Sequence, residues 1–155
     1  MGKMGFRQAV QIGIVVKDIE NARKLWAKLL NLEEPPIIET EDWESTHMSF
    51  RGKPSRGRAK LTFFKLENIT IELIQPLGGP STWQDFLEKH GEGIHHIAFT
   101  TENVSEAIQR LSELNGQIEQ SGQFKGGGYV YIDSRKGLGA ILELLYYNID
   151  QSPNS

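Results

Sequence analysis

Two stretches of this chain share one pattern: "GIHHIAFTTENVSEAIQRL", Gly93 to Leu111, and "QIGIVVKDIENARKLWAKL", Gln11 to Leu29. Each opens on a short apolar run and passes into a segment whose apolar residues recur at helical spacing. Setting Gln11 on His96, a shift of 85 positions, pairs Ile12 with Ile97, Gly13 with Ala98, Ile14 with Phe99, Ile19 with Val104, Ala22 with Ala107 and Leu29 with Leu114. Each copy therefore reads as a strand followed by a helix that starts near Asp18 or Asn103. Both are residue types that cap helix N-termini, and Glu106 follows Asn103 by three positions, as in a capping box. Asn31 and Gly116, equivalent under the shift, suit helix C-termini.

The repeat resumes downstream. "ITIELIQPL" (Ile69 to Leu77) matches "AILELLYY" (Ala140 to Tyr147), with Glu72 on Glu143 at a shift of 71, so the first copy is longer by 14 residues. The extra residues are expected within Glu39 to Lys60. A strand precedes each matched segment: "KLTFFKL", then a tight turn at Glu67-Asn68, and "YVYID", then a loop "SRKGLG". Further strands are expected near Ile37-Ile38 and Ile118. A helix in "STWQDFLEKHGEG", capped by Ser81 and ended by Gly91 or Gly93, joins the copies. The expectation is an α+β fold: two βαβββ modules in tandem, about residues 9–77 and 94–147 with the linking helix at 81–92, in a single domain over 1–155. The modules form a curved mixed sheet around a shared central cavity, with helices on the outer faces.

The 155 residues suffice for one packed domain, and a hydrophobic fraction of 38% supports a core. No apolar run nears the roughly 18–20 residues of a spanning helix, so no membrane partner is expected. The start "MGKMGFRQAV" lacks the apolar stretch of a secretory signal, and Phe6 spoils a myristoylation pattern; a cytoplasmic location is the expectation. The absence of cysteine excludes disulfides, thiolate metal sites and cysteine nucleophiles. A net charge of −3 argues against nucleic acid. The one basic run, "RGKPSRGRAK" (Arg51 to Lys60), reads as a solvated Gly/Pro loop, with a patch for a phosphorylated small ligand as the sharper alternative. The Gly-rich "FKGGGYVYID" precedes a strand and lacks a Walker lysine, so it reads as a loop, a flexible lip over the cavity, and not a phosphate cradle.

Strand alternation assigns the faces. Ile12, Ile14 and Val16 share one face, as do Ile97 and Phe99, and these bulky residues suit packing under the helices. Gln11, Gly13 and Val15 lie opposite, as do His96, Ala98 and Thr100, where Gly13 and Ala98 leave volume. By the same alternation His95 points away from His96 and serves packing or support. His90 suits the C-terminus of the linking helix, and His47 is given no role. Glu72 and Glu143 each interrupt an apolar strand at equivalent points. Glutamate is depleted in strands and rarely buried unpaired, and an isolated buried carboxylate costs several kcal/mol or protonates. Any one of these residues alone is better explained as surface or hydrogen-bonded core. Under the repeat, Gln11, Glu72, His96 and Glu143 form two symmetric pairs offering three oxygens and one nitrogen, and a dication would neutralise both carboxylates.

At these residues the chain resembles the vicinal oxygen chelate superfamily of glyoxalase I, extradiol dioxygenases, bleomycin-resistance proteins and methylmalonyl-CoA epimerases, over about Val10 to Tyr147. "FLEKHGEGIHHIAF" and "IELIQPL" look most like the epimerase branch. The resemblance implies a divalent ion (Co, Mn, Ni, Mg or Zn) on Gln11, Glu72, His96 and Glu143. It also implies an acyl-CoA thioester as small-molecule partner, a homodimer, and proton abstraction alpha to a carbonyl, with Glu143 as main base and Glu72 as acid or second base. Gln11 stands where epimerases usually carry His and where some glyoxalase I enzymes carry Gln. Glyoxalase I, however, places Arg and Asn for glutathione where this chain has Val15 and Pro76. Epimerases also tend to carry a His-Pro-Lys turn where this chain has "IDSRKGLGAILELL". A lactoylglutathione lyase and a non-catalytic small-molecule binding or resistance protein are the alternatives. An extradiol dioxygenase needs a two-histidine, one-carboxylate iron site that Gln11 breaks.

Overall fold

The repeat folds as two copies of one topology. The computed structural model describes residue 6 and residues 8–148; the expectations for the amino-terminal residues lie outside the described residues. The first copy runs β1 (Ala9–Val15), α1 (Ile19–Leu30), β2 (Ile38–Glu39), an insertion of α2 (Trp43–Thr46), β3 (Ser49–Phe50) and β4 (Lys53–Pro54), then β5 (Ala59–Lys65) and β6 (Thr70–Pro76). Helix α3 (Thr82–His90) leads into β7 (Gly93–Thr100), α4 (Val104–Ser112), β8 (Gln117–Phe124), β9 (Gly127–Ser134), the single turn α5 (Arg135–Leu138) and β10 (Ala140–Tyr147). The three long helices start as their caps require. Asp18 Oδ1 accepts the Asn21 N–H at 3.1 Å, and Ser81 Oγ and Asn103 Oδ1 accept those of Gln84 and Glu106 at 3.0 Å. Asn31 closes α1 in the left-handed conformation; in the second copy that residue is Asn115, one place before Gly116.

The described residues form one ten-stranded sheet in the order β2-β5-β6-β1-β7-β10-β9-β8-β3-β4, curled into a half-barrel. Within each half the first strand runs parallel to the last (β1 with β6, β7 with β10). The halves join where β1 and β7 pair antiparallel. Helix α1 covers one outer face through Ile19 and Ala27, against Ile12, Ile14, Val16, Phe64 and Leu73. Helix α4 covers the other through Ala107 and Leu111, against Ile97, Phe99, Ile132 and Leu144. The bulky residues of β1 and β7 lie where alternation sets them.

A third cluster fills one end of the inner face. Trp83 of α3 packs there with Val15, Ile74, Tyr131 and Ile141, so the linking helix lies inside the curl. The insertion completes this inner core: within the basic run Arg51 to Pro54 and Arg56 are exposed, as a solvated loop would be, while Ala59 at its end and Met48 just before it are buried. Met48 is buried in the cluster, Trp43 packs on it, and β3 pairs antiparallel with β8, at the far edge of the other half. Apolar side chains facing inward need a cover, and the extra residues carry it across the mouth of the curl. The basic residues are mostly spent on this strap. Arg51 pairs with Asp85 of α3 at 3.0 Å and Glu119 of β8 at 2.9 Å, Arg56 pairs with Glu44, and Arg58 donates to the Thr40 carbonyl. Two other expected loops are also structured. "SRKGLG" winds into α5, closed by Gly139 at φ 79°. The Gly-rich stretch is the β8–β9 hairpin, where a Cβ on Gly127 or Gly128 would strike Tyr146; strand pairing, and not a flexible lip, accounts for these glycines.

Candidate metal centre

Beyond Val15, Ile74 and Ile141 on the inner face come the residues singled out by the repeat. In the sheet register Gly13 stands opposite both Glu72 on β6 and His96 on β7. Its symmetry mate Ala98 stands opposite both Glu143 on β10 and Gln11 on β1. Each small residue thus lies between two donors, and this is why it is small. The His96 imidazole lies directly over Gly13, in the space a Cβ would take. Two strands from each half converge on one point.

The four side chains meet there. Gln11 Oε1 lies 3.1 Å from His96 Nε2, 3.3 Å from Glu72 Oε1 and 2.9 Å from Glu143 Oε1. His96 Nε2 is 3.2 Å from Glu143 Oε1 and 3.5 Å from Glu72 Oε1. Glu72, Glu143 and His96 are 6%, 5% and 1% exposed. Burial, and then the charge of Glu143, pushes the Glu72 carboxyl well above the ordinary carboxylate range. Both glutamates lie within reach of the same imidazole nitrogen, His96 Nε2.

The donor set suits a divalent cation. As placed, the Gln11 oxygen faces acceptors only; turning the amide would aim its NH2 at Glu72, His96 and Glu143 instead. With the oxygen inward, a cation would draw on one lone pair from each of the four side chains; with the NH2 inward, the amide would hydrogen-bond the other three. Adjacent ligands of an octahedral ion with bonds of about 2.1 Å stand roughly 3 Å apart, close to the spacing found here. Among the described residues no group of three or more His, Asp or Glu is arranged as an ion-holding cluster; Gln11 adds the fourth donor here. Two carboxylates, an amide oxygen and an imidazole suit borderline divalent metals.

His95 departs from the expectation. The register of β1 against β7 slips between Gly13 and Ile14, which face His96 and Ile94, so His95 sits at a β-bulge. Alternation fails at the bulge, and both imidazoles turn inward, Nδ1 to Nδ1 at 3.0 Å. His95 is 3% exposed. Burial, and then the neighbouring His96 ring, holds its imidazole well below the usual range. Its Nε2 lies 2.9 Å from Thr82 Oγ1 at the start of α3. His90 ends α3 beside Arg135, away from the donors.

Sequence reasoning missed the aromatic wall. Tyr131 stands opposite Glu143 in the β9–β10 register, and its ring centroid is 4.9 Å from that of His96. Trp83 Nε1 donates to the Tyr131 hydroxyl at 3.1 Å, and Gln120 Nε2 donates to the Tyr129 hydroxyl at 3.0 Å. The alternation in "YVYID" puts both tyrosines on one face, but only the pairing with β10 shows that this is the glutamate face. A cavity of about 540 Å³ lies apart from the four donors, lined by Glu41, Ser45, Phe124, Lys125 and Tyr146 among others.

This fold is shared with proteins of known family. Residues 10–132 match the sequence pattern of the Glyoxalase/Bleomycin resistance protein/Dioxygenase superfamily. The chain belongs to this superfamily. Members are typically metal-dependent. An ethylmalonyl-CoA/methylmalonyl-CoA epimerase of Cereibacter sphaeroides is 34% identical over 138 residues, covering 86% of this chain and 92% of that protein. The uncharacterized protein YqjC of Bacillus subtilis is 31% identical over 143 residues, covering 90% and 92%. Among superfamily structures, methylmalonyl-CoA epimerase from Mycobacterium tuberculosis superposes with a TM-score of 0.63 at 17% identity, covering 97% of this chain and 94% of that one. At that identity the likeness establishes the fold.

Proposed function

We propose that this chain is a metal-dependent epimerase that exchanges the proton alpha to the thioester carbonyl of a short branched acyl-CoA of the methylmalonyl-CoA type. The observation that carries the reading is the pair of buried carboxylates, Glu72 and Glu143, one from each half, flanking one point. An epimerase must take a proton from one side of a planar enolate and return one to the other, and two carboxylates related by the repeat supply that geometry. A divalent ion bound to Gln11, Glu72, His96 and Glu143 would supply Lewis-acid stabilisation of the developing negative charge. Glu143 removes the alpha proton from one face. Glu72, its counterpart from the other half, serves the opposite face as acid or second base. Tyr131, Trp83 and the inner core behind the site exclude water, which strengthens each electrostatic contact. The similarity to an ethylmalonyl-CoA/methylmalonyl-CoA epimerase supports the same substrate class.

Val15 favours the epimerase over a lyase acting on glutathione conjugates. It is fully buried in the inner core beside Trp83 and Ile74, where no cation can meet a peptide carboxylate. Incubated in deuterium oxide with methylmalonyl-CoA, the ion-loaded protein will wash deuterium into the alpha position, as read by mass spectrometry. The hemithioacetal of methylglyoxal and glutathione will turn over no faster than without protein. Hemithioacetal turnover without exchange would replace this reading with the lyase.

The Gly13 contact gives a structural test. Gly13→Ala sets a methyl group where the His96 ring lies. The ring must move off the point shared with Gln11 and Glu143, and overpacking costs about 1–3 kcal/mol. Titration calorimetry will show zinc affinity falling by about tenfold or more, in line with the usual cost of disturbing ligand orientation, while circular dichroism keeps the folded spectrum. Unchanged affinity would mean that His96 is not a ligand.

A further inference from the structure

The two imidazoles in "GIHHIAF" form a hydrogen-bonded line with only two self-consistent proton arrangements. Thr82 Oγ1 is 2.9 Å from His95 Nε2, and His95 Nδ1 is 3.0 Å from His96 Nδ1. At its other end His96 Nε2 faces Gln11, Glu72 and Glu143. The line is buried, and its members are held from several sides. Phe86 and Tyr131 pack edge-on against the His95 ring at centroid distances of 5.2 Å, and the Thr82 N–H donates to Gln120 Oε1 at 2.8 Å. Each contact in the line needs one donor and one acceptor, so with one proton on each ring the position of one fixes the others.

We propose that His95 is a positioning residue that sets the tautomer of His96 and thereby the affinity of the four-donor site for its ion; this rests on the reading that the ion binds through His96 Nε2. A nitrogen that ligates must be bare, so the His96 proton sits on Nδ1 and is donated to His95 Nδ1. His95 Nδ1 is then bare as well, its proton sits on Nε2, and Thr82 Oγ1 accepts it. In the reverse arrangement Thr82 donates to His95 Nε2, His95 Nδ1–H donates to His96 Nδ1, and a proton occupies His96 Nε2, where the ion would bind. Ligating histidines usually lean on a carboxylate or a carbonyl, which accepts and nothing else. Here the supporting group is a second histidine, whose own proton is held in place by a threonine hydroxyl. Thr82, two side chains from the ion, therefore also controls the site.

The test uses the full chain and zinc. Nitrogen-15 NMR of the zinc-loaded protein will show His96 protonated at Nδ1 and His95 protonated at Nε2. Titration calorimetry will show His95→Phe and Thr82→Val binding zinc more weakly, within the roughly 10–100-fold range typical of lost supporting partners. His95→Asn, whose amide can present an oxygen near the Nδ1 position, and Thr82→Ser, which keeps the hydroxyl, will retain most of the affinity. Thr82→Val is nearly isosteric and leaves the backbone bond to Gln120, so it answers the question if His95→Phe fails to fold. Zinc bound by the wild type with His95 protonated at Nδ1, or bound equally by Thr82→Val, overturns the proposal and leaves the metal site standing. A wild type that takes up no zinc, cobalt or manganese overturns both.

Discussion

Glu143→Gln will lower alpha-proton exchange on methylmalonyl-CoA by about 10²–10⁴-fold, the usual contribution of a positioned acid or base. Glu143 lies between Leu142 and Leu144 on β10, with both neighbours directed into the outer core and the carboxyl directed to the shared point. Glutamine has the same shape, so packing in the strand is kept. It also retains an oxygen that can face an ion, while losing the capacity to accept and hold a proton. The variant should therefore fold, and metal content measured alongside turnover separates a lost base from a lost ligand. Glu72→Gln sharpens the reading. With one base left, deuterium should enter from the epimer whose proton faces Glu143, while interconversion of the two epimers stops. Full exchange in Glu143→Gln would remove this residue from the chemistry, whatever the metal content.

What the sequence revealed of this site, and what it hid, follows from what a linear pattern can encode. Caps are local, so Asp18, Ser81 and Asn103 could be read directly. Faces follow from alternation, so Ile12, Ile14, Ile97 and Phe99 could be assigned to the helix side and Gln11 and His96 to the other, while Glu72 and Glu143 stood out as carboxylates in apolar strands. The duplication carried one piece of long-range information, because equivalent positions in two like modules meet near the axis that relates them. Alternation holds only while the ladder is regular, and the bulge at His95 is a property of the β1–β7 pair that neither strand announces. The strap was hidden for a similar reason. Arg51 to Lys60 has the composition of a solvated loop, yet Met48 just before it had to cover Trp83 and Tyr131, and β3 found its partner on β8 in the opposite half. Tyr129 and Tyr131 could be read as sharing a face, but only the pairing with β10 sets that face beside Glu143. Local rules fix elements and sides; the contacts between halves are decided by packing.

Stripping divalent ions will lower the melting temperature, and the loss will be larger at pH 8 than at pH 5. Without an ion the two buried carboxylates repel, and burial together with Glu143 raises the Glu72 carboxyl well above its ordinary value. A group whose folded value is raised binds its proton more tightly in the folded chain than in the unfolded one. Its contribution to stability is complete below the unfolded value, about 4.3 for glutamate, and drains away as pH rises through the raised folded value. The ion-free protein should thus weaken from mildly acidic pH upward. The ion-bound protein moves the other way, because ligands must shed protons to bind and affinity climbs with pH. Ion at about 100 times its dissociation constant adds roughly 2.7 kcal/mol, which for a chain of this length is on the order of 5–10 °C. Thermal melts with chelator and with saturating manganese, at the two pH values, measure the gap directly. Equal gaps at pH 5 and pH 8 would mean that the carboxylates are not what holds the ion. A protein indifferent to chelator at both would mean that Gln11, Glu72, His96 and Glu143 meet for a reason other than metal.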